Sequence, residues 1–230
     1  MGDAEMAGAA RKSDLAVRTA SAVVMLAIAG TALWMDGVVL QFFLALVAFL
    51  VVLEWRGLVV RFPDDNLAKS VWMGVGGVYV AIACGAALLL TMVGLFVPLL
   101  AAVIGTDVGA YFAGRLIGGP KIAPAISPSK TWAGLFGGMA GAALLLNLTV
   151  HFGVGGALPA DPLRLAALGA SLAVVAQAGD FFESWMKRRA GVKDSGTLIP
   201  GHGGMFDRVD GLLPVCIAAF LVFRNMGLMP

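Results

Sequence analysis

The sequence predicts an all-α, polytopic integral membrane protein with about seven transmembrane helices. The chain has 230 residues, of which 60% are hydrophobic and only 13% are charged. Its mean hydropathy of +0.91 excludes an ordinary soluble domain. The apolar residues also form runs long enough for a helix to cross the hydrocarbon core of a bilayer. The predicted spans cover approximately residues 15–35, 38–60, 70–91, 95–117, 132–152, 163–187 and 209–227.

A change in composition near residue 14 separates a polar N-terminal segment from the apolar remainder of the chain. Residues 1–14 are small, polar and charged, and we expect them to form an N-terminal cytoplasmic tail. The apolar run that begins at Leu15 is too long for the core of a signal peptide, so we expect it to remain as the first helix. Arg18, near the start of that helix, can extend its charge to the membrane surface. Residues 15–230 then form a single transmembrane domain.

Cysteine and glycine are assigned to packing. Cys84 and Cys216 both lie inside apolar runs, where we expect neither a disulfide nor a metal ligand. Glycine is frequent, with 31 residues, and it clusters at 74–77 and 134–138. Small residues let membrane helices approach closely, so packing is the preferred interpretation of both clusters.

The distribution of charge predicts the orientation of the chain. If the N-terminus is inside, every lysine and arginine except Arg164 and Arg224 falls on the inner side, and the outer turns carry Asp36 and Asp161. We therefore expect a multi-pass protein of the cell (inner) membrane, with a cytoplasmic N-terminus and a polar active site on the cytoplasmic side. In this topology Ser195 lies in a cytoplasmic loop, where an accessibility label could be placed.

The most informative stretch is the charged segment between the last two predicted spans, residues 179–211. In its first half, two carboxylates, a hydroxyl and an ammonium group share one face of a helix. This set suits a cation together with a phosphate. The four residues are Asp180, Glu183, Ser184 and Lys187.

The second half of this segment contains glycines followed by a predicted helix start. The run from Pro200 to Gly204 cannot form a regular helix, and Asp207 and Asp210 then follow one turn apart. Glycine lets backbone N–H groups approach an anion, and a helix N-terminus favours the anion further. A solvated loop before a capped helix is the alternative, but it would not need paired carboxylates at helical spacing.

A second polar segment lies between the fourth and fifth predicted spans. It combines the bases Arg115, Lys121 and Lys130 with glycines and with the hydroxyls of Ser127 and Ser129. Several donors and positive charges together suit a triphosphate. This signal is weak alone, because basic cytoplasmic loops are common in membrane proteins.

The pattern from Ser184 to Asp210 resembles the signature of the phosphatidate cytidylyltransferases, or CDP-diacylglycerol synthases. The resemblance covers the C-terminal half of the chain well and the N-terminal half loosely. It implies a membrane enzyme that transfers a cytidylyl group from CTP to phosphatidic acid, giving CDP-diacylglycerol and pyrophosphate in phospholipid biosynthesis. The matching positions are Ser184, Lys187, Arg188, Lys193, Asp194, Gly196, Ile199, Pro200, His202, Gly203, Gly204, Asp207, Arg208 and Asp210.

The second polar segment is similar to another landmark of the same family, Ser-Pro-Lys-Lys-Thr-Trp-Glu-Gly. This chain departs from it twice, with Ser129 in place of a lysine and Ala133 in place of the glutamate. The consequence of these two replacements stays open. Lys130 is the lysine expected to contact phosphate, and Asp107 matches a polar residue that the family carries in the preceding helix.

The resemblance and the local chemistry together give the candidate site residues. We expect Asp207 to lie near the surface, where it can bind a cation together with Asp180. His202 could donate to a phosphate or carry a proton, and a structural role is its alternative. The candidate catalytic residues are Asp180, Asp207, Lys187 and His202. The candidate metal ligands are Asp180, Asp207, Asp107 and Asp210. The candidate substrate-binding residues are Lys130, Ser127, Ser184, Arg188, Lys193, Gly203, Gly204 and Arg208.

The family resemblance also implies the cofactor and the partners. Mg²⁺ is implied, and a second cation such as K⁺ is left open. The expected partners are CTP, phosphatidic acid within the membrane lipid and a second copy of the chain in a homodimer, with no nucleic acid. A related enzyme acting on an isoprenoid-type lipid phosphate or alcohol is the main alternative. A membrane transporter is a weaker one, because the polar residues concentrate on one side of the membrane instead of lying deep in several spans.

Overall fold

The computed structural model describes residues 2–156, 158 and 160–227, with side chains from Ala16 onward. The described chain consists of eight helices and one two-stranded antiparallel sheet. The helices are α1 (Gly2–Met35), α2 (Gly37–Val60), α3 (Asn66–Met92), α4 (Phe96–Leu116), α5 (Trp132–His151), α6 (Pro162–Arg189), α7 (Phe206–Val209) and α8 (Leu212–Asn225). The strands are β1 (Lys121–Ala123) and β2 (Ser127–Thr131).

The first six predicted spans are confirmed. Within the described residues, six helices are long and apolar enough to cross a membrane, namely the Ala16–Met35 part of α1 and the whole of α2 to α6. The seventh predicted span, 209–227, is shorter than expected, because α8 has only 14 residues. The all-α polytopic class is confirmed, and the small β1–β2 hairpin is an addition that the apolar pattern did not predict.

The break between α7 and α8 has a local cause. Pro214 has no backbone N–H, so it cannot bond to the carbonyl of Asp210 in the helical pattern. That carbonyl instead packs against α6 at Gly179, where an added Cβ would collide with it and would lie 2.6 Å from Cγ of Pro214. Glycine at position 179 therefore lets the start of α8 approach α6 directly beside Asp180.

Two helices begin earlier than the sequence predicts. Helix α1 begins at Gly2, so the boundary drawn at residue 14 falls within a helix. Alanine, methionine, lysine and arginine dominate this stretch and favour helix over a flexible tail. Helix α3 begins at Asn66 because the Asp65 carboxylate caps it, accepting a 2.8 Å hydrogen bond from the backbone N–H of Ala68.

Helices α4 and α5 pack through glycine, as the sequence predicts for residues 134–138. A Cβ added to Gly105 would lie 2.5 Å from the carbonyl oxygen of Gly141, and one added to Gly137 would lie 2.6 Å from the carbonyl oxygen of Gly109. The two backbones are therefore in direct contact over more than one turn. This contact places the hairpin before α5 next to the end of α4.

An aromatic cluster around Trp55 supports the polar end of the bundle. Trp55 in α2 is 2% exposed. Its ring lies 5.9 Å from that of Tyr79, 5.8 Å from Phe182 and 5.7 Å from Phe206, measured between centroids. Gly76 faces the same indole, and an added Cβ there would collide with it. The cluster thus joins α2, α3 and α6 to the start of α7.

The charged segments gather at one end of the helical bundle. Arg189, at the end of α6, forms a bidentate ion pair with Asp64 in the α2–α3 linker, with a shortest N–O distance of 2.6 Å. Gly201 in the loop after α6 packs against the side chain of Arg18 in α1. The charged segments that the sequence assigns to one side of the membrane thus meet at one end of the bundle.

Candidate active site

Lys130 of the hairpin and Asp180 of α6 form an ion pair across the polar end of the bundle. The hydroxyl of Thr131 caps α5 by accepting a 3.0 Å hydrogen bond from the backbone N–H of Gly134, which fixes the turn that carries Lys130. Ser184 donates to the Asp180 carboxylate at 3.3 Å. The Lys130 and Asp180 side chains stay 20% and 29% exposed, so the pair is accessible to a ligand.

Two further carboxylates lie close to this ion pair. The Asp210 carboxylate, which precedes α8, accepts a 2.8 Å hydrogen bond from the backbone N–H of Gly211. Burial raises the pKa of Asp210 to about 7, and the neighbouring Asp180 carboxylate adds to this rise. Asp107 of α4 adds a smaller part, and Lys130 opposes it. The carboxylates of Asp180, Asp107 and Asp210 and the ammonium of Lys130 therefore lie near enough to act on one another's charge.

Lys187 and Asp207 belong to a second ionic group, deeper in the protein. The ammonium of Lys187 lies 2.6 Å from Oδ1 of Asp207 and 2.5 Å from Oε2 of Glu183. The side chains of Glu183 and Asp207 are only 1% and 7% exposed. The expectation that Asp207 lies near the surface is therefore wrong. The predicted polar face of α6 divides between the two groups, since Asp180 contacts Lys130 and Lys187 contacts Asp207.

Asp207 also anchors the loop between α6 and α7. Its Oδ2 accepts hydrogen bonds from the backbone N–H and the hydroxyl of Ser195, both at 2.9 Å, and from the backbone N–H of Gly204 at 2.8 Å. Burial acts to raise the pKa of Asp207, but the side chains of Glu183 and Lys187 and these two backbone donors lower it below its ordinary value. Asp207 is therefore an ionised, buried anchor.

Glu54 of α2 completes this network, although no motif contains it. Its carboxylate accepts hydrogen bonds from the backbone N–H groups of Met205 and Phe206, both at 2.8 Å. It also lies 2.8 Å from the hydroxyl of Ser195, which shares its single proton between Glu54 and Asp207. A Cβ added to Gly196 would lie 2.7 Å from Oε1 of Glu54. The sequence signal that could have identified Glu54 is its acidic character at the end of an otherwise apolar membrane run.

The backbone N–H groups at the start of α7, which the sequence suggests for binding an anion, donate to carboxylates of the protein itself. Three successive backbone N–H groups, from Gly204 to Phe206, donate to Asp207 or Glu54. The donor of Gly204 is thus already bonded in this structure. Gly203 has a φ of +83°, which a residue with a side chain rarely adopts, and it lines the adjacent cleft.

A cleft of about 620 Å³, here called the loop cleft, opens beside this network. Bases outnumber acids in its lining, which suits phosphate groups. Arg208 donates to the backbone carbonyl of His202 at 2.9 Å, and Nδ1 of His202 lies 2.9 Å from the hydroxyl of Ser21 in α1. The lining residues are Arg18, Lys193, Asp194, Gly196, Thr197, Ile199, Pro200, Gly201, His202, Gly203 and Arg208.

A second cleft of about 340 Å³, here called the amide cleft, lies between α4, α5, α6 and the hairpin. It contains Lys130 together with Asp107, and at its buried side it contains the amide of Gln177. The lining residues are Asp107, Ala110, Tyr111, Gly114, Arg115, Ser129, Lys130, Thr131, Gly134 and Gln177.

The remaining candidate residues are placed as follows. Ser127 is 8% exposed and lies in β2, where it pairs with Ala123. Arg188 is exposed and donates to the carbonyl of Ile126 at 3.4 Å, which joins α6 to the hairpin. Lys193 is exposed at the loop cleft.

The carboxylates near Lys130 fit a hydrated Mg²⁺ ion. Within the described residues, no three His, Cys, Asp or Glu side chains converge to form a complete protein ligand set. Mg²⁺ does not require one, because it commonly binds one or two carboxylates and completes its shell with water and substrate phosphates. Asp180, Asp107 and Asp210 offer such oxygens near Lys130. The sharing of one cation by Asp180 and Asp207 stays a prediction, because four hydrogen bonds already engage the Asp207 carboxylate.

Comparison with known proteins identifies the family. The sequence model of the cytidylyltransferase family matches residues 87–226, which is more than half of the chain. The chain therefore belongs to the cytidylyltransferase family. The matched range contains the hairpin, both ionic groups and the loop, whereas Glu54, Arg18 and Ser21 lie outside it.

Individual relatives carry a more specific name. A phosphatidate cytidylyltransferase of Brucella suis is 47% identical over 127 residues, which is 54% of this chain and 44% of that protein. Those of Pseudomonas aeruginosa and Mycobacterium tuberculosis H37Rv are 41% and 42% identical over 138 and 121 residues. These alignments cover 58% and 53% of this chain, and 49% and 36% of the relatives. The similarity thus spans about half or less of each relative.

Proposed function

We propose that the protein transfers the cytidylyl group of CTP to phosphatidic acid, giving CDP-diacylglycerol and pyrophosphate. Membership of the cytidylyltransferase family and the names of the relatives support this proposal. The observation that carries it is the meeting of Lys130 with the Asp180 carboxylate beside two clefts, at one end of a bundle of membrane-length helices. Such a site can receive a nucleotide from water and a lipid head group from the bilayer.

The reaction is a single displacement at phosphorus. A phosphate oxygen of phosphatidic acid attacks the α-phosphorus of CTP, and a new P–O bond forms. The bond from the α-phosphorus to the oxygen that bridges to the β-phosphorus breaks, and pyrophosphate leaves with that electron pair. The chemistry requires no covalent enzyme intermediate. Since two polyanions must meet, we assign the catalytic effect to positioning and charge compensation.

The bases at the two clefts supply this compensation. Lys130 is paired with Asp180, and it can exchange that carboxylate for a phosphate. Arg208 and Lys193, at the loop cleft, are exposed and within reach of an arriving triphosphate. Lys187 has a different role, because Asp207 and Glu183 already engage its ammonium. It holds α7 and the loop against α6.

We assign the Mg²⁺ site to Asp180, with Asp210 or Asp107 as its neighbour. When bound, the ion would neutralise phosphate charge and make the α-phosphorus more electrophilic. Ser184 orients the Asp180 carboxylate through its 3.3 Å hydrogen bond. A second cation such as K⁺ stays a prediction, as does the homodimer.

The proposed orientation follows from the substrate. CTP is a cytoplasmic metabolite, so the end of the bundle that carries the two clefts lies on the cytoplasmic side of the cell membrane. This places the start of α1 on the same side, since Arg18 lines the loop cleft. It agrees with the basic residues, nearly all of which fall on that side.

The direct test uses purified protein in lipid nanodiscs with CTP labelled at the α-phosphorus. With phosphatidic acid and Mg²⁺, we expect label in the lipid extract and one pyrophosphate released per labelled lipid, and chelation of Mg²⁺ should stop both. Diacylglycerol lacks the attacking phosphate and serves as the control acceptor. An isoprenoid phosphate, offered alone, tests the alternative substrate. Labelling of that lipid in preference to phosphatidic acid would contradict the proposal.

Family membership itself decides against a transporter.

A further inference from the structure

The amide of Gln177 is buried, and no group in the described part of the chain forms a hydrogen bond with it. Gln177 is 4% exposed, and among the described residues neither its Oε1 nor its Nε2 has a partner. A buried polar group left unpaired costs free energy, and native proteins retain few of them. Such a group in a cleft therefore indicates a partner that arrives with a ligand.

The surroundings of Gln177 place this amide at the inner side of the amide cleft. It stands on α6, three residues before Asp180, and it lines the same cleft as Lys130. A Cβ added to Gly138 would lie 3.1 Å from Nε2, so glycine there leaves the amide uncrowded. Gln177 is 4% exposed and the Lys130 side chain is 20% exposed. The inner part of the cleft therefore presents a neutral amide, and its outer part presents charged groups.

The chemistry of the amide narrows the choice of ligand. Oε1 accepts hydrogen bonds and Nε2 donates them, whichever way the amide is turned, so a single ligand group that satisfies both atoms must present a donor and an acceptor side by side. Phosphatidic acid offers phosphate and ester oxygens, which accept. A triphosphate also offers only acceptors. A cytosine ring presents its N4 amino donor next to its N3 acceptor, and this edge matches an amide.

We infer that Gln177 binds the cytosine base of the nucleotide, with Oε1 accepting from the N4 amino group and Nε2 donating to N3. This inference rests on the proposed function, because it takes CTP as the nucleotide. A base at Gln177 leaves its phosphates at the outer side of the cleft, where Lys130 and the Asp180 carboxylate lie. The cleft volume of about 340 Å³ falls in the range of small-molecule sites.

The test compares wild type with Gln177→Leu, using Gln41→Leu as a matched control on the exposed surface of α2. We expect the KM for CTP to rise at least tenfold in Gln177→Leu, with the KM for phosphatidic acid unchanged. Without lipid, stabilisation of the protein by CTP in a thermal-shift assay should be lost. Without nucleotide, the variant should melt at or above the wild-type temperature, because no described residue forms a hydrogen bond with the amide. Gln41→Leu should match wild type throughout.

A nucleotide analogue separates a base contact from an indirect effect. The triphosphate of 4-deaminocytidine lacks the N4 amino group. Wild type should bind it more weakly than CTP, because the analogue has no N4 amino group to donate to Oε1. Gln177→Leu has no Oε1 to accept that hydrogen bond, so it should bind CTP and the analogue alike. Gln177→Glu, which keeps the size of the side chain, should also weaken CTP binding, because it removes the Nε2 donor.

The outcomes distinguish this inference from the proposed function. Active wild type together with a Gln177→Leu variant of normal CTP affinity would overturn the inference and leave the proposed function intact. A rise in the KM for the lipid alone would assign the amide to the lipid and overturn the inference. A ligand-free variant that melts below wild type would show a structural amide and would also overturn it. Failure of the proposed function would show differently, as wild type that forms no labelled lipid.

Discussion

The Glu54 carboxylate in α2 accepts a 2.8 Å hydrogen bond from the backbone N–H of Phe206, 152 residues further along the chain. This contact joins a helix outside the family match, residues 87–226, to the start of α7 inside it. The same carboxylate accepts from Met205 and Ser195. The fold of the polar loop therefore depends on the N-terminal part of the chain.

The first prediction concerns this contact. Glu54→Gln replaces a charged acceptor by an amide, whose NH₂ group must face at least one of the donors that Glu54 now satisfies. A hydrogen bond to a charged group is worth about 1.5–3 kcal/mol, so we expect a lower thermal midpoint. Limited proteolysis should also cut faster at residues 194–204.

Arg56→Gln is the control, because Arg56 is exposed two positions further along the same helix. This control should keep the wild-type melting temperature and cleavage rate. If Glu54→Gln matched the control in both measurements, Glu54 would not be an anchor of the loop.

The helical fold could largely be predicted from the sequence, because apolar runs of membrane length need no tertiary information to be recognised. The predicted starts failed where a local contact decides. Asp65 extends α3 by capping it, and Pro214 with Gly179 interrupts the last span. The hairpin was missed because its strands, of three and five residues, are too short to show an alternating pattern.

The site could be predicted only in part. Helical spacing correctly placed Asp180, Ser184 and Lys187 on one side of α6, but it could not show which partner each one meets. Asp180 meets Lys130, 50 positions earlier in the chain, and Glu54 reaches the loop from α2. Such pairs depend on how the helices pack, and one sequence does not contain that information.

The second prediction concerns the hairpin lysine. Lys130→Ala removes the ammonium that pairs with Asp180, so the KM for CTP should rise by at least tenfold, which is about 1.4 kcal/mol of lost binding. Ser129→Lys adds a base at an exposed position in the amide cleft and should be tolerated. Steady-state rates over a range of CTP concentrations measure both. Full activity of Lys130→Ala at low CTP would remove this lysine from the triphosphate site.

The third prediction concerns orientation. Ser195 is unsuitable for a label, because it is 4% exposed and bonded to Glu54 and Asp207. Thr197 is exposed in the same loop, and Ala160 is exposed between α5 and α6. In a chain with both native cysteines replaced, an impermeant thiol reagent should label Thr197→Cys from the cytoplasmic side only and Ala160→Cys from the opposite side only. The reverse pattern would invert the topology.

The fourth prediction concerns Asp207, in the second ionic group. Asp207→Asn should destabilise the protein by about 3 kcal/mol, because the new amide cannot accept from Lys187, Ser195 and Gly204 together. Thermal unfolding of the purified variant measures this loss. Asp194→Asn, at an exposed neighbouring position, is the control for stability. An Asp207→Asn protein as stable as its control would show that Asp207 does not anchor the loop.

The central claim is that the Asp180 carboxylate, beside Lys130, serves the metal and the triphosphate. Its most direct test is the Mg²⁺ dependence of CDP-diacylglycerol formation by wild type and by Asp180→Asn. Asp180 is partly exposed, so the variant should fold and melt like wild type. Its turnover should fall about 10²–10³-fold at all Mg²⁺ concentrations, which corresponds to roughly 3–4 kcal/mol of transition-state stabilisation. A folded Asp180→Asn protein with wild-type turnover and an unchanged Mg²⁺ requirement would contradict the account.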